Sequence, residues 1–152
     1  MIKRLIILLV GLCLATFATA QILNPVHFNY SVVKKTPKTI ELHMTATMDK
    51  GWHIYSQIQP KEAISEPTKI AFNKNPLVAA TGKAKEIGKK EMYRDKVAGI
   101  KQYQYGDKVD FVQVINLKLA VKTNVSGTIT YQTCTNEMCL PPKTITFSIP
   151  LQ

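Results

Sequence analysis

Two cysteines near the C-terminal end, Cys134 and Cys139, stand in the run Tyr131-Gln132-Thr133-Cys134-Thr135-Asn136-Glu137-Met138-Cys139-Leu140-Pro141-Pro142. Thiols at this spacing can form a structural bond, cycle between dithiol and disulfide, or bind a soft metal ion. A tight hairpin brings the Cα atoms of such a pair into the range of roughly 4.4 to 6.8 Å that a disulfide requires. As a clip the bond contributes little, because loop closure gives about 2 kcal/mol for about six residues against about 4.7 kcal/mol for a loop of about 100. As a redox couple the pair works by a thiolate attacking a disulfide sulfur through a mixed disulfide, with no obligatory separate base. The residues alone leave clip and redox couple both open.

The neighbours pull the chemistry in different directions. Glu137 disfavours a thiolate beside it, whereas Lys143 and His53 favour one. Pro141 and Pro142 offer no backbone donors, so they either leave the segment after Cys139 open to a partner or simply end a strand. Along the preceding strand Ile129 and Tyr131 share one phase while Thr128, Thr130, Gln132 and Cys134 share the other, which predicts Cys134 on the polar side. Met138 next to Cys139 supplies soft ligands that would suit Cu(I), with Met92 a further thioether, while Met44 and Met48 read as core residues. His27 and His43 fall in polar phases without a ligand spacing and read as surface residues. No cofactor is implied.

The elements that position these residues repeat every second residue. Ile40, Leu42, Met44, Ala46 and Met48 alternate with polar residues, and Val26, Phe28, Tyr30 and Val32 do the same, with a turn at Lys34 to Lys38 making a first hairpin. Trp52 to Ile58, Thr68 to Phe72, Val109 to Ile115, Leu117 to Val121, Val125 to Tyr131 and Thr144 to Ile149 read as further short strands. Pro60 to Tyr93 is the least regular stretch, and Lys83 to Lys90 reads as an exposed connection. No segment carries a helical repeat of apolar residues. Seven to nine short strands predict an all-β fold, an immunoglobulin-like antiparallel β-sandwich.

Length and composition agree with one such domain. The chain has 152 residues and 45% hydrophobic residues, which excludes a disordered or collagen-like protein. Lys3-Arg4, the apolar run Leu5 to Phe17 and Ala18-Thr19-Ala20 form a secretory signal peptide, residues 1–20, with cleavage expected after Ala20 and one domain over residues 21–152. Cys13 goes with that leader, since Leu12 before it does not fit a lipoprotein site. Nothing after Gln21 is long and apolar enough for a stable membrane span, so the mature protein is expected in an oxidising compartment outside the cytoplasm. The formal net charge is +10, but the basic residues are scattered rather than gathered in an aromatic-laced stripe. A solvated surface, not a nucleic-acid face, follows.

The cysteine hairpin, Gly51-Trp52-His53-Ile54-Tyr55-Ser56 and the closing Lys143-Thr144-Ile145-Thr146-Phe147 together resemble the N-terminal periplasmic domain of the bacterial thiol:disulfide interchange protein DsbD. The likeness spans about Pro25 to Leu151, and Tyr-Gln-x-Cys, a short loop, then Cys, a hydrophobic residue and Pro-Pro is its most specific part. The resemblance implies an immunoglobulin-like sandwich in the periplasm that carries reducing equivalents. It implies Cys134 and Cys139 as the redox pair, with Cys139 entering mixed disulfides and Cys134 resolving them. Its partners would be a thioredoxin-like redox protein or domain as donor and a periplasmic disulfide isomerase or reductase as acceptor. Tyr55 matches an aromatic beside the pair, His53 stands where the family commonly has tyrosine, and Glu91-Met92-Tyr93-Arg94-Asp95 matches a cap in which Met92 and Tyr93 shield the cysteines. The loop between the cysteines is often one residue longer in the family. With the conduit and thioredoxin-like domains of DsbD not seen, a free-standing version is expected. The alternative is a non-catalytic secreted binding module in which the bond is a clip.

Overall fold

The computed structural model describes residues 23–151; the assigned signal peptide and Cys13 lie outside them. The described residues form twelve strands and no helix. In chain order they are β1 (Val26–Thr36), β2 (Thr39–Met48), β3 (His53–Tyr55), β4 (Lys69–Phe72), β5 (Val78–Ala80), β6 (Lys85–Gly88), β7 (Glu91–Asp95), β8 (Ile100–Tyr105), β9 (Lys108–Leu117), β10 (Thr123–Tyr131), β11 (Thr133–Cys134) and β12 (Lys143–Leu151). All pairings are antiparallel. One sheet runs β1-β2-β9, with β5 and β6 both pairing to β9 at different heights; a second runs β12-β10-β4; a third, β11-β3-β8-β7, carries the cysteine end.

Alternation builds the core. Ile40, Leu42, Met44, Ala46 and Met48 of β2 are all buried, as are Val109, Phe111, Ile115 and Leu117 of β9. They meet Val125, Ile129 and Tyr131 of β10 and Phe147, Ile149 and Leu151 of β12 in one cluster. Two antiparallel layers closing on a shared apolar interior make the immunoglobulin-like β-sandwich that the periodicity predicts. Aromatic side chains seal one margin, with Phe28 5.3 Å from Tyr131 and Tyr30 5.8 Å from Phe147 between ring centroids.

Three sequence readings are corrected. Leu117 to Val121 is not a strand: β9 ends at Leu117, and Leu119 and Val121, with Ala120 between them, lie exposed in a bend. Trp52 to Ile58 shrinks to β3, since the Ser56 hydroxyl and the Gln57 amide turn toward Glu86 instead of continuing the ladder. Lys83 to Lys90 contains β6, paired with β9 through Lys85↔Val112 to Gly88↔Val109. Its lysines hid the strand, because only Ala84 and the carboxylate of Glu86 point inward.

Candidate functional site

Local sequence fixes each wall of the site. Gly51 takes φ of 86° in the turn where the Trp52 amide donates to the Asp49 carbonyl at 3.0 Å, a conformation that favours glycine, and β3 starts immediately after it. On β3, His53 pairs in register with Cys134 of β11, and Tyr55 with Gln104 of β8. On the far side β8 pairs with β7, setting Tyr93 opposite Gln102 and Glu91 opposite Gln104. The β7–β8 turn is held by Asp95, whose Oδ1 accepts from the amides of Val97 and Ala98 at 2.9 and 3.0 Å, and by Gly99 with φ of 69°.

The cysteines occupy the hairpin that follows β10. The Leu140 amide donates to the Thr133 carbonyl at 2.9 Å and the Thr135 amide to the Met138 carbonyl at 2.8 Å. Cys134 and Cys139 are therefore a directly opposed pair between two hydrogen-bonded rungs, where side chains approach most closely. Their Cα atoms are 4.0 Å apart and the sulfurs are bonded. The Thr135 hydroxyl accepts from the amides of Glu137 and Met138, both at 3.1 Å, and so pins the loop. The Thr133 hydroxyl donates to the His53 carbonyl at 3.0 Å, tying the hairpin to β3.

Cys134 is only 1% exposed, not on the polar side as strict alternation predicts. Gln132 lies outside the ladder between β10 and β11, and its side chain takes up the Glu66 amide at 3.1 Å; the chain there changes sheets, so the phase of β10 does not carry into β11. Cys139 is the exposed residue of the pair. Beside Cys139 lies a cavity of about 360 Å³ walled by Cys139, Met138, His53, Tyr55, Tyr93 and Gln102 among others.

Of the residues singled out from sequence, the fold brings Cys134, Cys139, His53, Tyr55 and Tyr93 to this face. Met92 is in the opposite phase of β7, paired with Tyr103 and touched by the Arg94 Nε at 3.0 Å, and does not line the cavity. The Glu91–Asp95 segment is a paired strand rather than a loop. Lys143 lends its ammonium to Asn24 Oδ1 at 2.6 Å. Among the described residues no three His, Cys, Asp or Glu side chains gather into a metal-binding cluster.

A polar chain lies beneath the cavity. His53 Nε2 is 3.3 Å from the Tyr55 hydroxyl, which also accepts from Gln102 Nε2 at 3.4 Å, and Gln102 Oε1 accepts from Ser65 at 2.9 Å. Burial lowers the pKa of His53, against the opposing charge of Glu91. Burial raises that of Tyr55. Sequence reading missed Ser65, Gln102 and Gln104, which no periodic or spacing signal marks, and it missed Glu86. The Glu86 carboxylate accepts from the Ser56 hydroxyl and the Gln57 amide at 2.6 Å each and from the Tyr105 hydroxyl at 2.9 Å, with Lys90 Nζ at 3.1 Å. Burial opposes its charge, but these donors outweigh that and hold its pKa below the ordinary carboxylate value. It anchors the chain leaving β3 to β6 and β8.

The family model described as thiol:disulfide interchange protein DsbD, N-terminal, matches residues 19–151. The chain belongs to this family. Membership in the DsbD N-terminal family supports a role in thiol–disulfide exchange. Among solved structures, the fold is similar to a DsbD N-terminal domain from Neisseria meningitidis, described in complex with the PilB N-terminal domain, at 16% identity and TM-score 0.50 over 84% of this chain and 87% of that one. It is also similar to the N-terminal periplasmic domain of ScsB from Proteus mirabilis, at 18% identity and TM-score 0.52 over 88% of this chain but 48% of that one. No curated protein matches.

Proposed function

We propose that this protein is a periplasmic electron carrier that works by reversible oxidation of Cys134 and Cys139, in a mature domain of residues 21–152 released by cleavage after Ala20. The observation that carries the reading is the asymmetry of the bonded pair: Cys139 is exposed on the rim of a cavity and Cys134 is 1% exposed behind it. An incoming thiolate reaches Cys139 first. It forms a mixed disulfide there, and the electron pair of the broken Sγ134–Sγ139 bond leaves on Cys134. The partner's second thiol then displaces Cys139, and the protein carries away two electrons as a dithiol. In the opposite direction Cys139 attacks an oxidised partner and Cys134 resolves the mixed disulfide.

The donor in this reading is a thioredoxin-like protein or domain, and the acceptor a periplasmic disulfide isomerase or reductase. The Neisseria DsbD domain found in complex with PilB supports a protein partner of this kind. Tyr93, Tyr55 and His53 shield the pair from small oxidants and reductants between encounters.

Trapping tests the assignment of roles. Cys134→Ser leaves Cys139 able to form a mixed disulfide that cannot be resolved internally, so covalent complexes with a thioredoxin-like protein accumulate on non-reducing gels. Cys139→Ser, whose remaining sulfur is buried, traps far less. Equal trapping by both variants would refute the assignment, and none by either would favour a structural clip in a binding module.

A further inference from the structure

We propose that His53 is the proton-transfer partner of Cys134, accepting the thiol proton as the disulfide forms and returning it as the disulfide opens; the inference rests on the exchange function above. The problem it solves is burial. A sulfur in a residue 1% exposed, once released as a thiolate, is cut off from the water that would stabilise it, and once protonated it cannot readily lose its proton to bulk solvent without a carrier. Cys139, exposed on the rim, has no such need.

His53 occupies the position from which this carrier must act. It is the register partner of Cys134 across the β3–β11 pair, so both side chains project from one face of the sheet with Cβ atoms about 4.5 to 5.5 Å apart, the usual separation for directly opposed residues. His53 is only 7% exposed and still borders the cavity, so it lies between the buried cysteine and water. Its Nε2 meets the Tyr55 hydroxyl at 3.3 Å, and Tyr55 is held in turn by Gln102. In the tautomer with the proton on Nε2, directed at Tyr55, Nδ1 is left unprotonated and is the ring's free base. Groups that bear on its charge come from every neighbouring element: Tyr55 on β3, Glu91 and Tyr93 on β7, Cys134 on β11, and Glu137 and Cys139 in the hairpin. Burial keeps the imidazole neutral and ready to accept, while Glu91 lessens the cost of its protonation.

The steps balance. Reduced protein first loses the Cys139 thiol proton to water and attacks an oxidised partner through the resulting thiolate: an Sγ139–sulfur bond forms, the partner's disulfide breaks, and the partner's other sulfur leaves with the electron pair and takes a proton from water. His53 Nδ1 then removes the proton of Cys134. The Cys134 thiolate attacks Sγ139, closing the protein's disulfide and expelling the partner's second sulfur as a thiolate, which is protonated from water. The imidazolium gives its proton to water in the cavity. Two electrons and two protons have passed to the partner, and reduction of the protein runs the same steps backward.

The resolving step can be timed without a physiological partner. Reduced protein is treated with one equivalent of 5,5′-dithiobis(2-nitrobenzoate): the first thionitrobenzoate released reports attack by Cys139, and the second reports resolution by Cys134. Wild type, His53→Gln and His53→Tyr are compared from pH 5 to 9, with urea unfolding confirming that each variant folds. In both variants the second phase slows by at least about tenfold near neutral pH, a conservative share of what a positioned acid–base group supplies. Its pH profile moves to alkaline values, and the first phase, which reports access to Cys139, does not slow. The Cys139→Ser protein gives a second readout, since its Cys134 thiolate absorbance near 240 nm rises at higher pH when His53 is also replaced. An unchanged second phase and an unchanged Cys134 titration in a folded His53→Gln protein would overturn the inference while leaving exchange intact. Absence of a second phase in the wild type would overturn exchange itself, and the inference with it.

Discussion

Reducing the Cys134–Cys139 bond should leave the sandwich folded and cost it little. The bond joins residues only 5 apart in sequence, and chain entropy assigns a loop of about six residues about 2 kcal/mol. The apolar cluster spanning β2, β9, β10 and β12 contains neither cysteine. Hairpin geometry also outlasts the bond, because the Leu140–Thr133 and Thr135–Met138 backbone hydrogen bonds flank the pair. Urea unfolding of oxidised and reduced protein should thus give two cooperative transitions of equal slope, with midpoints about 1 M apart if the slope is about 2 kcal/mol per M. The same difference must emerge from redox measurements. A fold that favours the bond by about 2 kcal/mol lowers its reduction potential by about 40 mV relative to the same pair in the unfolded chain, at about 30 mV per 1.4 kcal/mol. Glutathione titrations with and without 8 M urea measure both potentials, and the folded value should lie above the range below roughly −300 mV that marks structural bonds. A stability difference above about 4 kcal/mol, or a reduced protein without a cooperative transition, would refute the reasoning and make the bond a staple.

Two other perturbations probe the frame around the site. Glu86 has a folded pKa below its unfolded one, so the stability it contributes is present above the unfolded value and is lost as pH falls through the folded value; Glu86→Gln should cost roughly 1 to 3 kcal/mol at pH 7 by loss of charge-assisted hydrogen bonds, with the gap to wild type closing toward pH 3 in urea unfolding. Tyr93→Ala should speed alkylation of the reduced protein by iodoacetamide several-fold without moving its urea midpoint by more than about 0.5 M, since Tyr93 borders the cavity yet is 40% exposed and contributes little to the core.

How much was legible in the sequence depends on how local the determinant is. The β2 run Ile40 to Met48 declares its buried face because alternation survives for its whole length, and the structure buries each of the five expected side chains. Tyr-Gln-x-Cys and Pro-Pro mark the hairpin for the same reason, all of it lying within a dozen residues. Alternation misled where its premise failed. At Gln132 the chain leaves one sheet for another, and the phase that puts Cys134 outward belongs to a strand that has ended. β6 escaped notice because a strand paired along β9 needs only one inward side chain in two, and here those are the Glu86 carboxylate and, just before the strand, Ala84; the energetic sense of Glu86 lies in donors from positions 56, 57, 90 and 105 that no one-dimensional pattern connects. His53 is the instructive case. Its residue type suggests proton chemistry, but the sequence reading could say only that it would favour a thiolate somewhere nearby. The register of β3 against β11 assigns it to the buried sulfur rather than the exposed one. That distinction separates a residue tuning the attacking thiol from one serving the resolving thiol, and only a pairing between residues 81 positions apart in the chain, His53 and Cys134, can make it.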